Sequence, residues 1–219
     1  DCKVANGAVT IPAGITRGAN CRAAGEDIKA GTLVLAAGRR LRAQEIGLAA
    51  SLGLTSLTVY RPLRVALFST GDELREPGDA LALGAIYDAN RYTLQALLQG
   101  LGVQVSDLGI LADKPDAMRS ALADAAQNHD LVLTSGGMST GEEDHVKGAV
   151  EALGKLHFWR LAIKPGRPVA MGQIGRVPFV GLPGNPVAVM VTFFLLARPL
   201  MLLLAGANDP GPKLYRVRA

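Results

Sequence analysis

Two hydroxyls, a glycine and two carboxylates follow directly on a short apolar run in the first half of the chain. They are Ser69, Thr70, Gly71, Asp72 and Glu73. Hydroxyl and carboxylate oxygens are ligands for a hard cation such as Mg²⁺, so one interpretation is a metal site. The other is a turn in which Asp72 and Glu73 favour the start of a helix through its dipole.

Residues 135–141, with the sequence Ser-Gly-Gly-Met-Ser-Thr-Gly, precede three acidic residues at 142–144. Consecutive glycines let backbone N–H groups turn toward an anion, and a helix that begins after the loop adds its dipole. The loop has neither the Gly-Lys-Ser/Thr of a Walker A loop nor a Gly-x-Gly-x-x-Gly pattern. It predicts a phosphate site with a metal beside it, the alternative being that the acids only complement a helix dipole.

Three cations, Arg160, Lys164 and Arg167, fall within eight residues, and no acidic residue occurs from 158 to 176. If 158–163 form a strand, Arg160 and Lys164 point the same way, because side chains alternate along a strand. Such a group of cations suits a tetrahedral oxyanion. The prolines and glycine among them stiffen the backbone, which favours a preformed site over a solvated loop.

From residue 63 onward, the apolar pattern predicts alternating strands and helices. Strands are predicted at 65–68, 103–105, 131–133, 156–163, 169–171 and 177–180. Amphipathic helices are predicted at 92–101, 116–127 and 146–153. This order is typical of an α/β fold, a three-layer α/β/α domain with a mostly parallel sheet.

Ligands of open α/β sheets bind beyond the carboxyl ends of the strands. We therefore expect the loops after the buried strands 65–68, 131–133 and 177–180 to meet at one edge. Residues 181–186 after the last of them form a rigid turn in which Asn185 and the following proline begin a helix. Asp113 follows strand-like residues and belongs to the same edge.

The first sixty residues predict a β-rich segment with one helix. Strands are predicted at 4–5, 9–11, 33–35 and 57–60. The helix covers 43–52, with Gly53 as its C-cap and with inward side chains Ile46, Leu48, Ala49 and Ala50.

Residues 187–205 are almost wholly apolar and have to be weighed as a membrane span. Arg198 and Pro199 divide them into runs of 11 and 6 residues. A span takes about 20 apolar residues without a central charge. The start signal at Asn185-Pro186 is that of a soluble helix, so the pattern favours a buried core helix.

The composition, 49% hydrophobic and 19% charged over 219 residues, excludes collagen, coiled coil and intrinsic disorder. Only 5% of the residues are aromatic. That leaves little to stack on bases, so nucleic-acid binding is not expected. The two cysteines, Cys2 and Cys21, suit a reducing compartment such as the cytoplasm. The start without Met and a half-formed strand at 214–217 indicate a piece of a longer protein.

Five motifs in this order resemble the MoeA family, the molybdopterin molybdenumtransferases of molybdenum-cofactor biosynthesis, which are related to the E domain of gephyrin. The motifs are Ser69–Leu74, Ile86–Arg91, Ser135–Asp144, Ala162–Pro168 and Gly181–Pro186. The resemblance runs from about Ala19 to the C-terminus.

The resemblance implies three regions. Residues 61–207 look like the molybdopterin-binding α/β domain, with a MogA/MoaB-like fold. Residues 1–60 look like an incomplete part of the family's elongated dimerisation domain, and residues 208–219 like a linker and the start of a truncated C-terminal β-barrel domain.

The resemblance further implies that the chain inserts molybdate into adenylylated molybdopterin and releases AMP. It implies Mg²⁺ as cofactor, a homodimer, a MogA-type adenylyltransferase as a possible partner, and no membrane or nucleic acid. The family's functional acids match Glu73, Asp113 and Asp144, which we expect to hold Mg²⁺. Its functional cations match Arg160 and Lys164, which we expect to attract molybdate.

The remaining site residues implied by the resemblance would bind the substrate. They are Ser69, Thr70, Gly71, Asp72, Ser135, Gly136, Gly137, Ser139, Gly141, Arg167, Pro183 and Asn185. The dithiolene sulfurs that receive molybdenum belong to the substrate, so no protein cysteine is required.

Two other functions stay open. One is a MogA-type molybdopterin adenylyltransferase, which the β-rich N-terminal segment disfavours because that family is a single α/β domain. The other is a non-catalytic module for molybdopterin binding or dimerisation. The family's second-domain segment is absent and its barrel begins only near Gly211, so we expect pterin binding to survive better than turnover.

Overall fold

The structure is a computed structural model that describes residues 2–137 and 145–211. It divides into two compact units, residues 1–36 and residues 37–219. The strands are β1 (Lys3–Ala5), β2 (Ala8–Thr10), β3 (Arg64–Thr70), β4 (Leu74–Arg75), β5 (Ile86–Tyr87), β6 (Gln104–Leu111), β7 (Leu131–Ser135), β8 (Gly154–Arg160), β9 (Pro168–Ile174) and β10 (Val177–Leu182). The helices are α1 (Ala43–Ser51), α2 (Ala89–Gly100), α3 (Pro115–Asn128), α4 (His145–Leu153), α5 (Pro186–Thr192) and α6 (Arg198–Leu204). A π-helical turn, Phe193–Ala197, joins α5 to α6.

In the first unit, β1 and β2 form an antiparallel hairpin closed by Asn6 and Gly7. Both turn residues have positive φ, 52° and 75°, as a tight two-residue hairpin requires. The strands predicted near 4–5 and 9–11 are confirmed. The strand predicted at 33–35 is wrong: this segment pairs with no strand among the described residues, and Leu33 is 79% exposed.

In the second unit, six strands form one sheet in the order β6-β3-β7-β10-β9-β8. Strands β6, β3, β7 and β10 run parallel. At one side of the sheet, β9 pairs antiparallel with β10 and β8 pairs antiparallel with β9. The predicted, mostly parallel sheet is therefore confirmed. Continuous apolar runs suit its central strands because helices cover both of their faces.

Alternate residues of β3 face two separate cores. Val65 and Leu67 pack on the side of α2, α5 and α6, where Leu94, Leu98, Val189, Phe193 and Met201 are buried. Ala66 and Phe68 pack on the side of α3 and α4, where Met118, Leu122, Val146 and Val150 are buried. This arrangement is the predicted three-layer α/β/α domain.

Residues 186–204 form one continuous helical segment, long and apolar enough by length and composition alone to cross a membrane, with a mean hydropathy of 2.3. A core helix of a soluble protein meets the same criteria, and one face of this segment packs into the core through Val189, Phe193 and Met201. The predicted core helix is thus correct for that face. The other face stays exposed, including Phe194 and Leu203.

Two other details of the sequence prediction are wrong. Residues 57–60 form no strand, and the ring of Tyr60 instead packs against Gly206 at the end of α6. In α1, Ile46 is 53% exposed and Ala50 is exposed, although both were expected to face inward. Glu45 takes the inward place because its carboxylate accepts hydrogen bonds from the Arg39 and Arg42 side chains and from the Arg42 N–H.

At the amino edge of the sheet, Asp130 links the starts of β3 and β7. Its carboxylate accepts hydrogen bonds from Arg61 Nη1 and Nη2, at 2.7 and 2.8 Å, and from the Arg64 N–H at 2.9 Å. The Arg61 guanidinium holds the pKa of the Asp130 carboxyl well below its usual range. A cavity of about 300 Å³ opens here, but both arginines that line it are paired with Asp130.

We expect Asp130→Asn to reduce the dependence of stability on acid pH. A carboxyl whose pKa is lowered by folding stabilises the protein above its unfolded pKa, here near 3.8, and this contribution is lost as the pH falls. Urea unfolding should therefore show a shallower decline of the unfolding free energy from about pH 4 to pH 2 in the variant. Asp116→Asn, whose side chain is 97% exposed, is the control. Equal slopes in Asp130→Asn and the wild type would contradict this expectation.

Candidate functional site

The topology gathers the loops that carry the predicted site residues at one edge of the sheet. Strands β3, β7, β10 and β6 are parallel, so the segments that follow Thr70, Ser135, Leu182 and Leu111 leave from the same edge. The hairpin of β8 and β9 turns at this edge too, since Ala170 pairs with Gly181 and Arg160 pairs with Pro168.

Three buried hydroxyl groups at this edge have no partner among the described residues. Ser69 Oγ, Thr70 Oγ1 and Thr134 Oγ1 make no hydrogen bond within the described part of the chain, and each residue is at most 1% exposed. A buried hydroxyl that lacks a partner costs about 1–3 kcal/mol. These groups are therefore available to a water or a ligand. Thr134 was missed by the sequence analysis because it lies inside the apolar run of β7.

The segment after β3 begins no helix, so the alternative interpretation of Asp72 and Glu73 as a helix start is wrong. The chain turns and enters β4 instead, with the Leu74 N–H donating to the Gly71 carbonyl at 3.0 Å. The Glu73 carboxylate folds back over Gly71, where an added Cβ would lie 2.7 Å from Oε2. Asp72 is exposed, and its carbonyl accepts a hydrogen bond from Arg75.

The segment after β7 packs tightly against β3. Gly136 has a φ of 86°, and a Cβ there would lie 2.3 Å from the Thr70 carbonyl oxygen. Its N–H donates to the Leu182 carbonyl at 3.2 Å. At Gly137, which has a φ of 65°, an added Cβ would lie 2.6 Å from the Thr70 methyl group. Both glycines are required by this close approach, which keeps the ends of three strands together.

Several predicted residues of this loop fall outside the described residues. They are Ser139, Gly141 and Asp144. Their predicted roles in phosphate and metal binding stay predictions. Ser135, which is described, is 2% exposed, and its hydroxyl donates to the Pro183 carbonyl at 3.4 Å.

The loop that runs from Arg160, the last residue of β8, to β9 also contains Lys164 and Arg167, and we call it the cationic loop. It differs from the prediction in one respect. Strand β8 ends at Arg160, so Lys164 lies in a turn, and the argument that both side chains point the same way because they share a strand is wrong. The loop is closed by the Leu161 N–H, which donates to the Arg167 carbonyl at 2.9 Å. Gly166 is buried against Thr192 of α5.

The three cations of this loop are exposed. Within the described residues, Arg160, Lys164 and Arg167 form no salt bridge, whereas other arginines of the sheet domain are paired with Asp, namely Arg61, Arg64 and Arg91. The positive charge of this loop is thus left to solvent or to an anion.

The segment after β10 is held by hydrogen bonds at both ends. Asn185 Oδ1 accepts from the N–H groups of Val187 and Ala188, at 3.0 and 3.1 Å, and so caps α5 as predicted. The Gly184 carbonyl accepts from Asn90 Nδ2 at 2.7 Å. Asn90 and its neighbour Arg91 were not assigned a role from the sequence.

Asp113 is partly buried just beyond β6 and interacts with its surroundings. It and Glu73 are the described members of the predicted metal site. Among the described residues, no group of three or more His, Cys, Asp or Glu side chains could hold a metal ion. The third predicted ligand, Asp144, lies outside them.

Two protein-family models match the chain. The model described as a probable molybdopterin binding domain matches residues 66–202, and that of the MoeA N-terminal region (domain I and II) matches residues 2–53. The molybdopterin molybdenumtransferase of Haemophilus influenzae is 46% identical over 190 residues, which cover 87% of this chain and 47% of that protein. The chain spans about half the length of the curated relatives it matches.

Solved structures agree with this match. A molybdopterin biosynthesis MoeA protein from Pyrococcus horikoshii aligns with a TM-score of 0.73 and 34% identity over 83% of this chain and 45% of its own. Molybdenum cofactor biosynthesis protein B aligns with a TM-score of 0.51 over 68% of this chain and 96% of its own. At 21% identity, the second similarity shows the fold alone.

We expect Gly136→Ala to destabilise the protein more than Gly84→Ala. The two glycines have nearly equal φ, 86° and 82°, but only at Gly136 would the new methyl group meet the Thr70 carbonyl oxygen. The backbone shift that relieves such a contact costs about 1–3 kcal/mol. Urea unfolding of both variants measures the difference. Equal losses would show that Gly136 serves only the backbone conformation.

Proposed function

This chain belongs to the MoeA family, and we propose that it takes part in molybdenum-cofactor biosynthesis by inserting molybdate into adenylylated molybdopterin with release of AMP. In this reaction water cleaves the bond between the AMP phosphate and the pterin phosphate, and AMP is released. The two dithiolene sulfurs of the pterin, not a protein cysteine, bind the molybdenum and displace one molybdate oxygen, which leaves as water with the two thiol protons. Because the chain spans about half the length of its curated relatives, the activity is proposed rather than carried over from them.

The observation that supports this proposal is that one edge of the sheet carries both buried hydroxyls and exposed cations that have no partner among the described residues. Ser69 and Thr70 hold buried hydroxyls without partners among the described residues, and the hairpin turn with Arg160 and Lys164 leaves the same edge. Hydroxyl groups and cations together suit a substrate that carries phosphates and an oxyanion. The edge is also where open α/β sheets bind their ligands.

We assign the cationic loop to molybdate. Arg160 and Lys164 attract the dianion, and Arg167 adds charge beside them. The loop that begins at Gly136 and continues to Gly141 cradles a phosphate of the pterin substrate through its backbone N–H groups. The remaining substrate contacts fall to the turn after β10, with Pro183 and Asn185.

Mg²⁺ is the cofactor that we propose for Glu73, Asp113 and Asp144. Carboxylate oxygens are its preferred protein ligands, and it would neutralise charge on the phosphates. The described residues do not complete a three-ligand site by themselves.

We further propose a homodimer in the cytoplasm that receives its substrate from a MogA-type adenylyltransferase. The two cysteines, Cys2 and Cys21, are free thiols, as expected in a reducing compartment. Sedimentation of the purified chain, alone and mixed with such an adenylyltransferase, tests both associations.

We expect Lys164→Ala to raise the KM for molybdate by about tenfold or more, because an unpaired unit charge near a dianion contributes on the order of 1–4 kcal/mol. AMP release from adenylylated molybdopterin, measured against molybdate concentration, gives this value. Lys155→Ala is the matched control, since Lys155 lies near the opposite end of β8, where it pairs with Gln173.

Three results would contradict parts of this proposal. An unchanged KM in Lys164→Ala would remove the cationic loop from the molybdate site. Binding of the pterin without AMP release in the parent chain would leave a non-catalytic binding module. Adenylylation of molybdopterin at the expense of ATP would instead identify a MogA-type enzyme.

We expect Asp113→Asn to weaken Mg²⁺ binding by about tenfold or more, because removing a unit charge close to the cation costs on the order of 1–4 kcal/mol. Calorimetric titration of MgCl₂ into the complex with adenylylated molybdopterin measures the affinity directly. The exposed Asp116→Asn is the control. If both variants bind Mg²⁺ as the parent chain does, Asp113 is not a ligand.

A further inference from the structure

One buried arginine connects three separate segments of the sheet domain. The side chain of Arg91, in the first turn of α2, is 4% exposed and forms ion pairs with Glu76, Asp88 and Asp107. Its Nε lies 2.9 Å from Asp88 Oδ2, and Asp88 also caps α2 by accepting from the Arg91 N–H at 3.1 Å. The three acids come from the segment after β4, the start of α2, and β6.

Glu76 ties this arginine to the loop after β3. It follows Glu73 by three residues and ends the short segment that contains β4. Its carboxylate also accepts a hydrogen bond from the Tyr92 hydroxyl at 3.0 Å. The Arg91 and Tyr92 side chains of α2 thus contact Glu76, just beyond the loop that contains Asp72 and Glu73.

Asp107 ties the arginine to the end of β6. Its Oδ1 accepts from the Gly109 N–H at 2.9 Å, where the pairing of β6 with β3 shifts register by one residue. Beyond this shift, Ser69 pairs with Ile110. The Asp107 carboxylate therefore helps to hold the register shift in β6, and this shift sets the position of the strand end that leads to Asp113.

Asn90 ties the same helical turn to the loop after β10. Its side-chain amide donates to the Gly184 carbonyl at 2.7 Å, across 94 residues of sequence. The first turn of α2 consequently contacts the segments that lead to Glu73, Asp113 and Asn185. We call Asn90 and Arg91 together the α2 clamp.

The ion pairs of Arg91 are a poor means of stabilising the fold. A buried ion pair can often be replaced by apolar residues without loss of stability. Burial lowers the pKa of the Arg91 guanidinium, but hydrogen bonds to Asp107, Asp88 and Glu76 outweigh this, so its pKa stands above the usual value. A planar guanidinium can meet several carboxylates at fixed angles, which the single ammonium of a lysine cannot do.

We propose that the α2 clamp consists of positioning residues, which fix the loops after β3, β6 and β10 relative to one another for the reaction at the sheet edge. The effect of the α2 clamp on the reaction rate rests on the proposed function. The effect of the α2 clamp on the positions of the loops does not depend on which substrate is bound.

The test is Arg91→Lys, which keeps the charge and removes the guanidinium fork. Arg61→Lys is the matched control, because Arg61 makes a two-pronged pair with Asp130 at the opposite edge. We expect kcat for AMP release to fall about tenfold or more in Arg91→Lys, as misplaced reacting groups do, while the KM for adenylylated molybdopterin changes less than about threefold. Arg61→Lys should leave both constants unchanged.

Amide hydrogen exchange separates the clamp from the proposed activity. In Arg91→Lys, exchange at residues 71–76 and 107–113 should accelerate about tenfold or more, while residues 131–134 in β7 keep their protection. If the parent chain releases no AMP, the proposed function fails and the exchange data alone decide the inference. If the exchange rates at these loops are the same in Arg91→Lys as in Arg61→Lys, the inference about the α2 clamp is overturned.

Asn90→Ala tests the other half of the clamp and also serves if Arg91→Lys does not fold. Removing its amide should accelerate exchange at residues 184–188 and leave 71–76 unchanged. Unchanged exchange at 184–188 would show that the Asn90 hydrogen bond does not hold the loop after β10, and would overturn that assignment.

Discussion

Parallel pairing of β6, β3, β7 and β10 determines where every other feature of the sheet domain lies. Parallel strands need crossover connections, and these connections place α2, α3 and α4 on the faces of the sheet, where the α5–α6 segment packs on the same face as α2. Since both faces are then covered, the strands can be apolar throughout, as Val65 to Phe68 are. Polar residues are left to the ends of the strands, and the parallel direction brings the carboxyl ends together.

The carboxyl edge is close-packed in a way that leaves polar groups without partners. The Thr70 carbonyl lies against the backbone of Gly136, so no side chain can enter between the ends of β3 and β7. In the same place the hydroxyls of Ser69 and Thr70 are buried but lack acceptors among the described residues. A fold selected for stability alone would have placed apolar residues there, because a buried hydroxyl without a partner is unfavourable. The cost is consistent with an edge that is shaped for a ligand.

Local patterns predicted the elements whose neighbours are close in sequence or whose burial is complete. The apolar runs of β3, β7 and β10 and the helix caps at Asn185 and Gly53 all follow from residue types at short spacing. The segments 33–35 and 57–60 have the same β-type composition but form no strand, because a strand also needs a partner. The α2 clamp could not be predicted, since Arg91 reaches acids 15 and 16 residues away and Asn90 reaches across 94.

The hairpin of β8 and β9 explains how cations join an edge formed by parallel strands. Strand β9 pairs antiparallel with β10 and β8 pairs antiparallel with β9, so β8 runs in the same direction as β10 and ends at the carboxyl edge. The whole turn between Arg160 and Pro168 therefore lies at that edge. One loop thus brings three cations beside the turn after β10. Gly166, buried against Thr192, anchors that loop to α5, whose N-terminus is fixed by Asn185, so the cationic loop and the turn after β10 share one support.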